Sequence, residues 1–276
     1  MTVDSLQHSS TDTASPTSGR SIWSQTAALS IRSMIALWRQ PATVVPSMIF
    51  PLFFVALGTS SFSRAINLPG FPVVDSFLNF ALAGAIVQGV LFGSITGAAA
   101  LATDIENGFF DRLLVAPTAR SSILFGRLAG AMAFGAFQTA VFIAILLPFG
   151  LNIKSGPIGV LVMILGGTMT ALGVGAIMSA MALRTGSSEA VQGSFPLLFI
   201  MLFFSSAFFP RQTMSGIYGT LANLNPVSYL IEGFRDLTID GLTTWAVIRA
   251  LGFSALLAVL GMGLSLRSLR IRLGRQ

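Results

Sequence analysis

Phe77-Leu-Asn-Phe-Ala-Leu-Ala-Gly-Ala-Ile-Val-Gln-Gly-Val-Leu-Phe-Gly-Ser-Ile-Thr-Gly-Ala-Ala-Ala-Leu101 contains no Asp, Glu, Lys, Arg or His. A helix crossing a bilayer core needs about 20 predominantly apolar residues, and this stretch supplies them. Working outward, five more segments qualify: 41–62, 124–147, 158–183, 190–209 and 245–266. None has a charge near its centre, where an Arg or Asp costs about 2.5–3.5 kcal/mol on insertion scales. The reading is an all-α membrane protein with six transmembrane helices. Pro46 and Pro51 in the first span and Pro196 in the fifth predict kinks, which neighbouring helices make tolerable by re-satisfying the backbone.

Composition agrees. Hydrophobic residues make up 53% of the chain and charged ones 9%, with a mean hydropathy of +0.80, against about 25% charged in an ordinary soluble domain. With no Cys, disulfides, thiolate catalysis and sulfur-ligated metals drop out. His8 is the sole His, so a Ser-His protease in the membrane has no base and a metal hydrolase no ligand set; no metal site is expected. The net charge of +6 and pI near 11.2 come from Arg residues scattered between apolar runs, without the basic stripe of a nucleic-acid binder. No nucleic-acid partner follows.

Those Arg residues orient the chain instead, because inner loops hold the excess of positive charge. With the amino terminus inside, the inner side holds Arg20, Arg32, Arg39, Arg112, Arg120, Arg127, Arg184, Arg267, Arg270, Arg272 and Arg275. The outer side holds Arg64, Lys154, Arg211, Arg235 and Arg249. Both termini are therefore expected in the cytosol, as an even number of spans requires. Residues 1–19 are rich in Ser and Thr without the apolar run of a signal peptide, and read as a disordered cytosolic tail. From Ser21 to Gln40 apolar residues interleave with Arg, and Trp23, Arg32, Trp38 and Arg39 suit a helix lying in the membrane interface.

Three further segments are informative. Between the second and third spans, Asp104 to Arg120 places Phe109, Phe110, Leu113 and Leu114 at helical spacing, with Asp111 and Arg112 opposite and Pro117 as the stop. A short amphipathic helix is expected; it either rests on headgroups or docks onto another protein. Between the fifth and sixth spans, Pro210 to Thr244 is too polar to cross and too apolar for a free loop. Asn225-Pro226 marks a turn and helix start, after which Tyr229, Leu230, Phe234 and Leu237 line one side. Glu232, Arg235 and Asp236 stand close enough to satisfy one another. Two short helices dipping into the outer leaflet, or a surface hairpin, fit this pattern. In the fifth span Phe195, Phe199 and Phe203 recur every four residues, a stripe for packing, lipid contact or an apolar route. Gln88, Gln138 and Gln192 offer hydrogen bonds to a pathway or between helices. Gly89, Gly93 and Gly97 give helical spacing for close packing, as do Gly126 and Gly130.

The stretch Glu106 to Arg127, E-N-G-F-F-D-R-L-L-V-A-P-T-A-R-S-S-I-L-F-G-R, resembles the cytosolic signature of type-2 ABC exporter permeases, close to the daunorubicin-resistance branch. Asn225 to Leu237, N-P-V-S-Y-L-I-E-G-F-R-D-L, resembles the family's second signature. The resemblance implies that residues 20–276 form a permease transmembrane domain with an N-terminal interfacial helix, a cytosolic coupling helix and re-entrant outer helices before the last span. It implies a multi-pass chain of a bacterial plasma (inner) membrane, paired with a second permease copy or paralogue and with two copies of an ABC ATPase subunit. Asp104, Glu106, Phe109, Asp111, Arg112, Leu113, Leu114, Pro117 and Arg120 then belong to the coupling element. Asn225, Pro226, Tyr229, Glu232, Arg235 and Asp236 belong to the outer gate. At Asp111 many relatives carry Glu, one methylene longer.

No G-x-x-x-x-G-K-[ST] loop occurs, so the chain is expected to bind no cofactor, ATP and Mg residing on the ATPase. An amphipathic or lipid-like cargo is expected, since the spans offer no fixed charge. Gln88, Gln192, Phe195, Phe199 and Phe203 are the pathway candidates. Export of a lipid-linked glycan or polymer is the alternative within the family. An ion-coupled secondary transporter, which would ordinarily place an acidic or basic relay within the spans, is the alternative class.

Overall fold

The computed structural model describes residues 31, 35, 41–110, 112 and 120–274. The tail over 1–19 and the interfacial-helix residues Trp23, Arg32, Trp38 and Arg39 lie outside these, as do Asp111, Leu113, Leu114 and Pro117. Of the expected interfacial helix, Ile31 and Ile35 are helical and exposed.

The α-helices are α1 (Pro41–Ser61), α2 (Phe77–Glu106), α3 (Arg120–Leu146), α4 (Gly156–Thr185), α5 (Ser188–Gln192), α6 (Phe195–Phe203), α7 (Gly216–Leu224), α8 (Pro226–Ile239) and α9 (Thr244–Leu273). Among the described residues, five are long and apolar enough to cross a membrane: α1, α2, α3, α4 and α9. Two run five residues or more past the carboxyl ends of their apolar segments, α2 reaching Glu106 and α9 reaching Leu273.

The fifth predicted span departs from a single helix over 190–209. Ser187 caps α5, its Oγ accepting from Ala190 N at 3.2 Å, and the helix stops at Gly193. Pro196 lies in the first turn of α6, so it opens a new helix where a kink was expected. Its ring nitrogen has no N–H to give the Gln192 carbonyl, and the flexible Gly193 beside it lets the kink become a break. The nine residues of α6 rise about 14 Å, half a bilayer core of about 30 Å. Residues 204–209 continue without regular helix. Even so, this segment runs the length of the bundle: Ser188 bonds Glu106 at the end of α2, and Ser206 bonds Arg235, which lies over Phe80 at the start of α2.

Helix α2 is the axis, buried along its membrane-spanning stretch. Beside it α4 and α9 touch backbone to backbone, since a Cβ on Gly261 would come within 2.3 Å of the Gly173 carbonyl. Thr170 and Ser254 share a buried hydrogen bond of 3.0 Å across the same pair. In α1, Pro51 leaves the Ser47 carbonyl without its helical donor, and Gln138 of α3 replaces it, donating Nε2–H to Ser47 O at 3.0 Å. Gln138 is therefore an interhelical tie. Outward faces stay apolar, with Val45, Ile49 and Phe53 exposed on α1 and Leu256, Val259 and Leu260 on α9, as lipid contact requires.

Candidate functional site

At the inner end, by the sequence orientation, the first signature begins where α2 stops. Asn107 and Gly108 turn the chain, Gly108 with φ of +66°, and Phe109 and Phe110 resume helical geometry. Phe110 is buried, with the Arg272 guanidinium 5.8 Å from its ring centroid, while Arg112 is exposed. Asp104 forms an ion pair with Arg127 of α3. Glu106 caps α5: it accepts from Ser188 N at 2.7 Å and from Ser188 Oγ at 2.9 Å, filling the donor positions a helix start leaves open. Arg184 donates Nε–H to Ser268 Oγ at 2.9 Å and Arg272 donates Nη1–H to Leu183 O at 3.2 Å. The ends of α2, α3, α4, α5 and α9 are thus laced together around the start of the link, at Asn107 to Phe110. Ser188 was absent from the sequence-based site; the neighbouring Ser187 carries the N-cap signal of this helix start, but nothing local points to Glu106.

At the other end, α8 supports the irregular stretch after α6. Backbone groups without helical partners at membrane depth must be bonded by protein, and α8 provides the partners. Asn225 donates from Nδ2 to Met201 O at 2.5 Å and Phe204 O at 2.8 Å, while its Oδ1 caps α8 by accepting from Val227 N at 2.9 Å. Pro226 follows in the first turn, where its missing N–H costs nothing. Ser228 Oγ accepts from Ser206 N at 3.2 Å. Buried Arg235 donates Nη2–H to Ser206 O at 2.6 Å and Nε–H to Phe80 O at 3.4 Å, with its guanidinium 3.7 Å from the Phe80 ring centroid. Burial pulls this guanidinium down to about 9, against the upward pull of Glu232 and Asp236, so it remains charged at neutral pH.

The expectation that Glu232, Arg235 and Asp236 satisfy one another is corrected. Arg235 turns to backbone carbonyls, and partners from other elements serve the carboxylates that neighbour it on α8. Glu232 accepts from Arg211 Nε at 2.5 Å and from Arg249 Nη2 at 3.2 Å, and Asp236 accepts from Arg249 Nη1 at 2.7 Å. Burial raises the Asp236 carboxyl above its ordinary value, with Arg249 opposing. Tyr229 donates its hydroxyl to Asn223 O at 2.7 Å and carries Arg211 4.5 Å from its ring centroid. The named gate residues do meet in one assembly. Arg211, Arg249 and Phe80, which complete it, come from segments that only folding brings alongside.

The pathway candidates separate. Phe195, Phe199 and Phe203 form a ladder with centroid spacings of 5.8 and 4.8 Å, against Phe92 at 4.8 Å and Phe50 at 6.0 Å. A cavity of about 830 Å³ among α1, α2, α3 and α4 takes in Gln192 and Phe195 but not Gln88, Phe199 or Phe203. Gln88 is buried in α2 and its Nε2 has no hydrogen-bond partner.

The family profile described as ABC-2 type transporter matches residues 24–239. The daunorubicin resistance ABC transporter permease protein DrrB1 of Streptomyces coeruleorubidus is 29% identical over 87% of this chain and 83% of its own length. The putative transport permease ycf38 of Porphyra purpurea is 32% identical over 75% of this chain and 72% of its own. The inner membrane transport permease YadH of Escherichia coli K12 is 26% identical over 78% and 80%. The chain belongs to the ABC-2 type transporter family and is a membrane-spanning permease subunit of an ABC transporter.

Proposed function

We propose that this permease is half of an ATP-driven exporter of amphipathic molecules, seated beside a second permease copy or paralogue and above two cytosolic ABC ATPase subunits. ATP and Mg bind to those subunits, and this chain transmits their motion. The carrying observation is the Glu106 cap on α5: a push on the link after α2 displaces the start of the broken helix that bears the aromatic ladder. Rigid helices then shift one permease against the other. The amphipathic cargo rests on spans without a central fixed charge and on a relative named for resistance to daunorubicin.

The test replaces Glu106 and Asp111 together by Ala and follows two readouts, co-purification of the ATPase and efflux of an amphipathic dye from cells. Efflux is expected to fall at least several-fold in the double variant. Glu106→Gln, which keeps an acceptor oxygen for Ser188, should retain more efflux than Glu106→Ala. Wild-type association together with wild-type efflux in the double variant removes the coupling role.

A further inference from the structure

The glycines spaced for close packing on α2 do not share one role. A Cβ on Gly89 would stand 2.5 Å from Gln138 Nε2 and one on Gly93 2.7 Å from the Phe134 ring, but a Cβ on Gly97 would meet nothing within 4 Å. Gly97 opens onto the cavity of about 830 Å³, within the range of about 300–1,000 Å³ typical of small-molecule sites. Its lining on α2 extends from Val90 to Asp104, fourteen helical steps or about 21 Å. The walls are largely apolar, with Phe50, Phe92, Leu128 and Phe134. At the far end Gln138 has its Nε2 committed to Ser47 O, and its buried Oε1 has no partner. The charged lining groups, Asp104 and Arg127, stand together at the other end, paired and partly exposed.

We propose that this cavity is a binding site for one acyl chain of an amphiphile, entered at the Asp104 and Arg127 end, with the headgroup held against that ion pair. An acyl chain spans one leaflet, about 15 Å or half of a bilayer core, and the cavity is long enough to take it whole. Its lining suits a hydrocarbon: a polar ligand inside would lose its hydration for few partners. The pair at the mouth presents both a cation and an anion to a phosphate or ammonium headgroup. The site reaches Phe195, the first rung of the aromatic ladder, but not Phe199 or Phe203. It requires only that the chain sit in a bilayer, so it stands or falls independently of the export reading.

The experiment uses the full chain reconstituted in liposomes of phosphatidylcholine and phosphatidylglycerol. Two probes are compared, a diacyl phosphatidylcholine and a lysophosphatidylcholine, each with a diazirine near the end of an acyl chain. After irradiation, adducts are mapped by mass spectrometry. The expected result is labelling within 92–97 and 134–138 that drops several-fold in Gly97→Phe and in Ala100→Phe, which fill the cavity from α2, while labelling of outward-facing Ile49 and Phe53 is unchanged. Gly97→Phe is compatible with the fold, because its Cβ enters open space and losing a mid-helix Gly favours the helix. Labelling by the diacyl probe assigns the site to a bilayer lipid; labelling by the lyso probe alone assigns it to a free single-chain amphiphile. Absence of adducts at those stretches with both probes, or adducts unaffected by both Phe variants, overturns the proposal.

Discussion

At the residue scale, the side chains that matter most are those replacing a hydrogen bond the backbone cannot make. Pro51 removes a donor from α1, and Gln138 supplies one from α3 to the stranded Ser47 carbonyl. Gln138→Leu leaves that carbonyl unpaired and should cost about 1–3 kcal/mol, read as a lower unfolding temperature in detergent. Pro51→Ala restores the N–H, so the same Gln138→Leu change made in that background should cost less than about 1 kcal/mol. Equal costs in both backgrounds would mean that Gln138 contributes only packing. The sequence shows Pro51 and Gln138 separately, and nothing in the spacing of 91 residues between Ser47 and Gln138 announces the pairing.

At the element scale, α8 exists to hold something else. Its amphipathic pattern and Asn225-Pro226 start are legible in the sequence because helix capping and helical spacing are local properties. Its task is not legible, because the carbonyls at the end of α6 that create the need belong to residues 24 and 21 positions before Asn225. Asn225 joins the two by capping α8 and by bonding the Met201 and Phe204 carbonyls. Asn225→Ala should lose about 1 kcal/mol for the cap and about 1–3 kcal/mol for each carbonyl left unpaired. Asn225→Ser keeps a capping acceptor and should recover about 1 kcal/mol of this. Thermal unfolding of the three proteins in detergent separates the contributions; identical behaviour of the Ala and Ser variants would show that capping is not part of them.

At the scale of the whole molecule, the broken fifth segment still travels from the Glu106 end of the bundle to the Phe80 end, and Lys154 N bonds Thr238 O at 3.0 Å. This places the turns before α4 and α9 at the end opposite Thr185. A chain without Cys allows a clean test of orientation. Asp240→Cys should react with an impermeant maleimide on intact cells, whereas Thr185→Cys should react only after permeabilisation, both positions being exposed. The reverse pattern inverts the topology. By itself the sequence determined that this is a helical membrane protein, where its long helices run and which family signatures it bears, because apolar length and helix signals are carried by consecutive residues. Only the tertiary structure decided that Glu106 caps α5, that Arg235 bonds carbonyls while Arg211 and Arg249 serve its carboxylate neighbours, and that Gly97 faces a cavity. Each depends on which segments lie side by side, and in a bundle of uniformly apolar helices the direction of a single polar side chain is set by the neighbour it finds.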